Sequence, residues 1–177
     1  RRTVVPAAPD AWITALQRHG TWRFEDICQF AIRYAREGFA VFPLLRESIL
    51  GHRAEYERWE SNRAIFLPGG RVPEVGERFV QSDLAATLQY MADEARGAPT
   101  REAGLEAAHA AFYRGDIAAA IVAHQKAEGG WLSAEDLAGF RSRIEPVVRR
   151  PWRGHELLTC GPWCQGLALT EALLLAE

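Results

Sequence analysis

The stretch that most limits how this chain can fold runs from Phe112 to Leu137, where one helix is held between two sharp reversals. Gly115 is expected to close the preceding helix, because glycine takes the left-handed conformation beyond a helix end without strain. Asp116 then fits an N-cap, accepting from the free amides of the next helix and favouring its positive end. Ile117, Ile121 and Val122 give that helix an apolar face, and Gly129-Gly130 stops it. Ser133 and Asp136 have the spacing of a capping box, with Asp in place of the usual Glu, so a short helix begins at once. The pattern specifies a helical scaffold and carries no chemistry.

Upstream, turn signals divide the chain into amphipathic helices. Pro9 suits a first helical position, and Trp12, Ile13 and Leu16 form an inward stripe that ends at Gly20. Phe24, Ile27, Ala31 and Tyr34 repeat at helical spacing up to Gly38, where small Ala31 and Ala35 admit a neighbouring helix. Pro43 opens a third helix with Leu44, Leu45 and Ile49 inward and Arg46 outward. His52 to Ser61 is a charged, less regular helix anchored by Trp59. Asn62 to Gly76 is rich in turns, with Ile65-Phe66 as a short extended run. Gln81 or Ser82 begins a helix carrying Leu84, Leu88 and Met91, and Thr100 caps the next, with Leu105 and Phe112 inward. The helices have no constant period, which excludes a solenoid.

Beyond Phe140 the period shortens. Ile144, Pro146 and Val148 alternate with charged residues as a half-buried strand. Pro151 to Gly154 turns the chain, and His155 to Cys160 returns. A final apolar helix carries Leu167, Leu169, Ala172, Leu173 and Leu174. An isolated hairpin is marginal in water, so this pattern reads as the interior of a larger fold. The fold class is therefore α+β, mainly helical with a C-terminal β-hairpin, and residues 1–177 are expected to form one incomplete domain.

Chemistry is sparse. A net charge of −2 gives no attraction for nucleic acid or an anionic surface. The arginines at 141, 143, 149, 150 and 153 lack interleaved aromatics and suit a protected sheet edge better. No apolar run approaches the roughly 18–20 residues of a membrane span. The five histidines never take a metal-ligand spacing, and His109 and His124 suit surface or satisfied core positions. Glu135-Asp136 and Asp93-Glu94 sit at helix ends, where structural roles dominate. Cys28 reads as a buried thiol, while Cys160-x-x-x-Cys164 has neither a redox spacing nor zinc partners. Neither a metal nor a cofactor is expected. The Gly161–Gly166 turn is the best local candidate for closeness to a site: Gly166 offers amides to an anion, or the turn simply packs.

An ordered series of these stretches resembles the large subunit of the gamma-glutamyltranspeptidase family. Asp10 to Gly20 with Ala31 to Gly38 matches an early helix pair. Ala64-Ile65-Phe66, Gly76 and Leu84-Ala85-x-x-Leu88 match the middle. The aromatic pair before Gly115, Ile117-Ala118, Gly129-Gly130 and Leu132-Ser133-x-Glu135-Asp136-Leu137 follow, then Trp152-Arg153-Gly154 and Gly161 to Gly166. The resemblance implies an N-terminal-nucleophile hydrolase, a four-layer α-β-β-α sandwich of which this chain is an interior part. It also implies self-cleavage into two subunits, the smaller bearing a nucleophilic Thr, and transfer of a gamma-glutamyl group to water or an amine. The turn departs from the family's Pro- and Ser-rich form, so an amidohydrolase for another small acyl amide stays open, as does a noncatalytic helical interaction module. No Thr here stands in the nucleophile's sequence context. Gly97-Ala98-Pro99 is not the family's carboxylate-binding Arg motif. No residue of this chain is therefore assigned a catalytic or substrate-binding role, and the compartment, cytoplasmic or exported, is left open.

Overall fold

The computed structural model describes residues 4–176, and its chain divides into two compact units, Arg1–Phe140 and Arg141–Glu177. The larger is built on helices α1 (Ala8–His19), α2 (Phe24–Glu37), α6 (Ser82–Arg96) and α7 (Arg101–Tyr113). α2 and α7 pack on α6, and α1 lies on α7. Ile13, Phe24, Cys28, Ile32, Met91, Ala92, Ala95, Leu105 and Ala108 form the main core.

Helix ends follow the expected punctuation. Gly38 takes φ 79° after α2, and the Thr100 hydroxyl accepts from the Ala103 amide at 3.1 Å. The helix faces do not all follow. In α2 the buried stripe is Phe24, Cys28, Ile32 and Ala35, whereas Ile27, Ala31 and Tyr34, expected inside, are exposed. Both stripes are apolar, and each large side chain is worth about 1.5–3 kcal/mol on burial, so transfer energy alone does not choose between them. Close approach does. α6 presents Ala85, Ala92 and Ala95, and α7 presses Gly104 so closely on α6 that an added Cβ would lie 2.8 Å from the Ala95 carbonyl oxygen. Interdigitation at this separation favours the α2 face with small residues beside Ile32. Trp12, Leu44 and Leu84 are likewise exposed, leaving Ile13, Leu16, Ile49, Leu88 and Met91 as the inward residues.

A second cluster joins α3 (Pro43–Gly51), α4 (Arg53–Tyr56) and α5 (Glu60–Phe66) around Val41, Ile49, Leu67, Val72 and Phe79. The charged segment is thus two short helices, and Ile65-Phe66 lies in α5 rather than in an extended run. Trp59 is not an anchor: it is 40% exposed and stacks beneath Arg58. Tyr56 stacks on Phe66, with centroids 4.3 Å apart. A two-stranded antiparallel sheet, β1 (Phe39–Ala40) with β2 (Arg78–Phe79), fastens this cluster beside the helices.

α8 (Asp116–Ala127) begins one residue earlier than expected. Gly115 is its N-cap with φ −96°, and Asp116 is already helical. Glycine is needed at 115 for space, since an added Cβ would meet the Ala111 carbonyl oxygen at 2.9 Å. Gly129, at φ 69°, turns the chain away from α8. Ser133 then caps α9 (Ala134–Gly139) in a full capping box: its hydroxyl accepts from the Asp136 amide at 3.1 Å, and Asp136 Oδ2 accepts from the Ser133 amide at 2.9 Å. These bonds hold the Asp136 carboxyl below its ordinary range. Leu137 is thereby set, fully buried, against Tyr113 and Ala118. Ser133→Ala is expected to lower the stability of this element by about 1 kcal/mol. Unchanged amide-exchange protection in α9 would remove the capping argument.

The smaller unit is a hairpin and a helix. β3 (Val148–Trp152) pairs antiparallel with β4 (His155–Thr159), Arg150 opposite Leu157 and Trp152 opposite His155. Arg153 and Gly154 join them with φ 46° and 78°, the two positive values of a primed two-residue turn. The strand begins later than expected, at Val148, because its partner ends opposite that residue; Ile144 and Pro146 precede it without a ladder. α10 (Gly166–Leu175) is tied to the hairpin by the Trp152 indole, which donates to the Leu173 carbonyl at 3.0 Å. Leu158, Leu167, Leu169 and Leu174 are each about half exposed.

Candidate functional site

The Gly161–Gly166 turn stands where β4 passes into α10. The Cys164 amide donates to the Gly161 carbonyl at 3.4 Å, and the exposed Trp163 indole donates to Glu145 Oε1 at 2.9 Å. Gly166 is buried, and a Cβ there would stand 2.1 Å from the Cys160 carbonyl oxygen. Packing alone demands glycine at that position. The side chain of Gln165, the N-cap of α10, makes no capping bond to its first amides.

The arginines nearby are engaged in holding the hairpin. Arg149 pairs with Glu156 across the strands at 3.0 Å, both well exposed, and such a pair contributes at most about 1 kcal/mol. Arg153 donates to the Ala176 carbonyl at 2.9 Å and lies over the Trp152 ring.

The most enclosed polar group was not legible as a unit in the sequence. Asp10, in the first turn of α1, meets His109 of α7, with Nε2 2.8 Å from Asp10 Oδ1. The Asp10 amide donates to the Tyr113 hydroxyl at 3.1 Å, and that hydroxyl donates to the Pro6 carbonyl at 2.6 Å. The His109 ring stacks on Tyr113, 4.6 Å between centroids. His109 and Tyr113 are four apart on one helix, which brings both to the same spot on α1. The His109 and Asp10 side chains are at most 4% exposed, so no substrate carbonyl reaches them. The group is a tie between helices, and His109 is a buried core residue held through Nε2.

Of the hollows on the larger unit, two bear on catalysis. One, of about 330 Å³, lies between Trp12, Tyr34, Leu84, Leu88 and Phe112 and has almost no polar lining. The other, of about 520 Å³, carries Arg36, Gln89 and Asp93, already bonded in series: Arg36 donates to Gln89 at 3.0 Å and Gln89 to Asp93 at 2.9 Å. Neither sets a hydroxyl or thiol beside a base, the geometry that nucleophilic catalysis requires. Burial pushes the Cys28 thiol up to about 11, which keeps it inert near neutrality. Among the described residues, no group of three His, Cys, Asp or Glu is placed to hold a metal ion. Among the same residues, no helix is long and apolar enough to cross a membrane.

This architecture has relatives. The family model described as Gamma-glutamyltranspeptidase matches residues 1–177. The Acylase ACY 1 proenzyme of Pseudomonas sp. (strain SE83) is 32% identical over 178 residues, covering 100% of this chain and 30% of that protein. The glutathione hydrolase proenzyme of Escherichia coli (strain K12) is 26% identical over 162 residues, 91% of this chain and 26% of its own length. The crystal structure of cephalosporin acylase from Bacillus halodurans superposes with a TM-score of 0.78 at 31% identity, covering 96% of this chain and 30% of that one. The chain spans less than a third of the length of each of these proteins. With a match that runs its whole length, this chain belongs to the gamma-glutamyltranspeptidase family.

Proposed function

We propose that the protein containing this chain is a self-processing amidase that breaks a gamma-glutamyl or related amide and passes the acyl group to water or an amine. The observation that carries this reading is the family match over residues 1–177, joined to relatives that are named as proenzymes. In it, both compact units belong to one incomplete domain of an α-β-β-α sandwich, and the chain is scaffold from the larger subunit. The nucleophile is a Thr freed at the smaller subunit's N-terminus, whose own amine serves as base. An Arg outside the matched motifs of this chain grips the substrate's α-carboxylate in bidentate fashion. Donors aimed at the developing oxyanion complete the site.

A second reading favours a different acyl group. The relatives at 32% and 31% identity are named acylases, whereas the glutathione hydrolase stands at 26%. The Trp163-Cys164-Gln165 turn also departs from the Pro- and Ser-rich form. Expression of the full coding sequence tests both. Cleavage exposing an N-terminal Thr, with release of aniline from a gamma-glutamyl anilide, supports the first reading. Cleavage with turnover only of an acyl anilide lacking the α-amino and α-carboxylate groups supports the second. An uncleaved, inert protein would leave the helical interaction module.

Cys164 is expected to be dispensable for this chemistry. No cation or histidine contacts its thiol among the bonds of the turn, whose sulfur partner is the Gly161 carbonyl at 3.9 Å. In the full-length enzyme, Cys164→Ser should keep kcat/KM within a few-fold. Abolished turnover in a folded variant would show Cys164 to be the nucleophile.

A further inference from the structure

A hollow of about 190 Å³ opens between α2 and α6, with buried Ile32 in its wall. Its lining is rich in donors: Gln29, Arg33 and Arg36 come from α2, and Gln89 and Arg96 from α6. Positions 29, 33 and 36 fall four and three apart, so one face of α2 presents all three. Arg33 is steadied without spending a donor. Its guanidinium carbon stands 5.5 Å from the Phe30 ring centroid and 5.6 Å from that of Tyr34, contacts that leave its N–H groups free to bond elsewhere. Arg36 donates to Gln89 Oε1 at 3.0 Å, and the Gln89 amide donates in turn to Asp93 Oδ1 at 2.9 Å. This series fixes Arg36 across the two helices and occupies one of its five N–H donors.

The charges around the hollow do not cancel. Arg23 pairs with Glu25 at 2.7 Å, and Arg96 pairs with Asp93 at 2.6 Å. Among the described residues, neither Arg33 nor Arg36 forms an ion pair. Glu37 is then the remaining carboxylate of the wall, set against two guanidinium charges. We propose that this hollow binds a phosphate group, free or as a monoester. Two guanidinium forks offer more donors than the two oxygens of one carboxylate take up. Phosphate instead brings a second negative charge and at least three oxygens to share between them. The packed wall at Ile32 keeps water from one side of the bound group, which strengthens each bond. Binding here requires no amide cleavage.

The test is calorimetric titration of the full-length protein with inorganic phosphate at fixed ionic strength. One phosphate per chain should bind, and added sodium chloride should weaken it, as screening demands at an exposed site. Arg33→Gln and Arg36→Gln should each lower the affinity by about tenfold or more, since each removes charge-assisted bonds. Both side chains are exposed, so these variants should keep the far-ultraviolet dichroism of the unaltered protein. Arg33→Lys keeps the charge but lacks the fork, and its affinity should fall in between. Arg53→Gln, which removes an arginine already paired with Glu57, should bind as the unaltered protein does. Phenyl phosphate binding as tightly as inorganic phosphate would identify a monoester, and binding of inorganic phosphate alone the free ion; either supports the site. Succinate, a dianion of two carboxylates, should displace phosphate poorly at equal concentration, and equal displacement would overturn the choice of phosphate. No binding to the unaltered protein, full affinity in Arg33→Gln and Arg36→Gln, or an equal loss in Arg53→Gln would overturn the site itself.

Discussion

Replacing Asp10 with alanine is expected to reduce amide-exchange protection in α1 and α7 by roughly one to two orders of magnitude, with exchange across α9 little changed. The reasoning rests on what would be left behind. Asp10 accepts from His109 Nε2 at 2.8 Å inside a packed core, and its own amide holds the Tyr113 hydroxyl in place. That hydroxyl in turn secures Pro6. Leaving one partner of a buried hydrogen bond unsatisfied costs about 1–3 kcal/mol, because the remaining group keeps its desolvation penalty and loses its partner. A surface pair such as Arg53–Glu57 contributes about 0.3–0.5 kcal/mol, several-fold less. Asp10→Asn keeps an acceptor oxygen and nearly the same volume, so its loss should be clearly smaller. The measurement is hydrogen exchange on the full-length protein, read peptide by peptide. If Asp10→Ala protected α1 as well as the unaltered protein, the tie would have no energetic weight, and apolar packing around Ile13 alone would hold α1.

The contrast between helix ends and helix faces explains how far the sequence could be read. Ends are set locally. Thr100, the Ser133–Asp136 box, Gly38 and Gly129 each act on amides or dihedrals within four residues, and each stands where the pattern placed it. Asp116 missed by one position because Gly115 is required for closeness to Ala111, a steric reason that no capping preference reveals. Faces are set by neighbours. Ile27 and Tyr34 have the right spacing for a core stripe, yet the Cys28-Ile32-Ala35 stripe won because the alanines of α6 allow close packing there. The β1–β2 sheet was illegible, since two residues per strand give no period and their pairing joins positions 39 and 79. The Asp10–His109 tie has the same character: nothing local links residues 99 positions apart. The family was legible because it rests on the order of many weak motifs along the chain. The catalytic groups were not, because no motif of this chain matches them.

The chain by itself is expected to show no turnover of a gamma-glutamyl anilide. Amide cleavage of the proposed kind needs a nucleophile, a base and oxyanion donors within hydrogen-bond reach of one carbonyl. Here the histidine held most tightly, His109, is enclosed with Asp10 and stacked on Tyr113, with its partner carboxylate 2% exposed. The exposed Cys164 thiol contacts the Gly161 carbonyl at 3.9 Å, which is no base. The hollow between Trp12 and Phe112 is large enough for a small acyl group yet offers no group to activate. The proposed function accordingly places the nucleophilic Thr and the carboxylate-binding Arg outside this chain. Loss should be complete rather than partial, because a missing nucleophile removes the covalent route itself. Supplying the downstream chain, cleaved before its Thr, should restore turnover. It should also raise solubility by covering the half-exposed leucines of β4 and α10. Measurable hydrolysis by residues 1–177 alone, retained when Cys160 and Cys164 are both replaced by serine, would place a different nucleophile within this chain and overturn the reading.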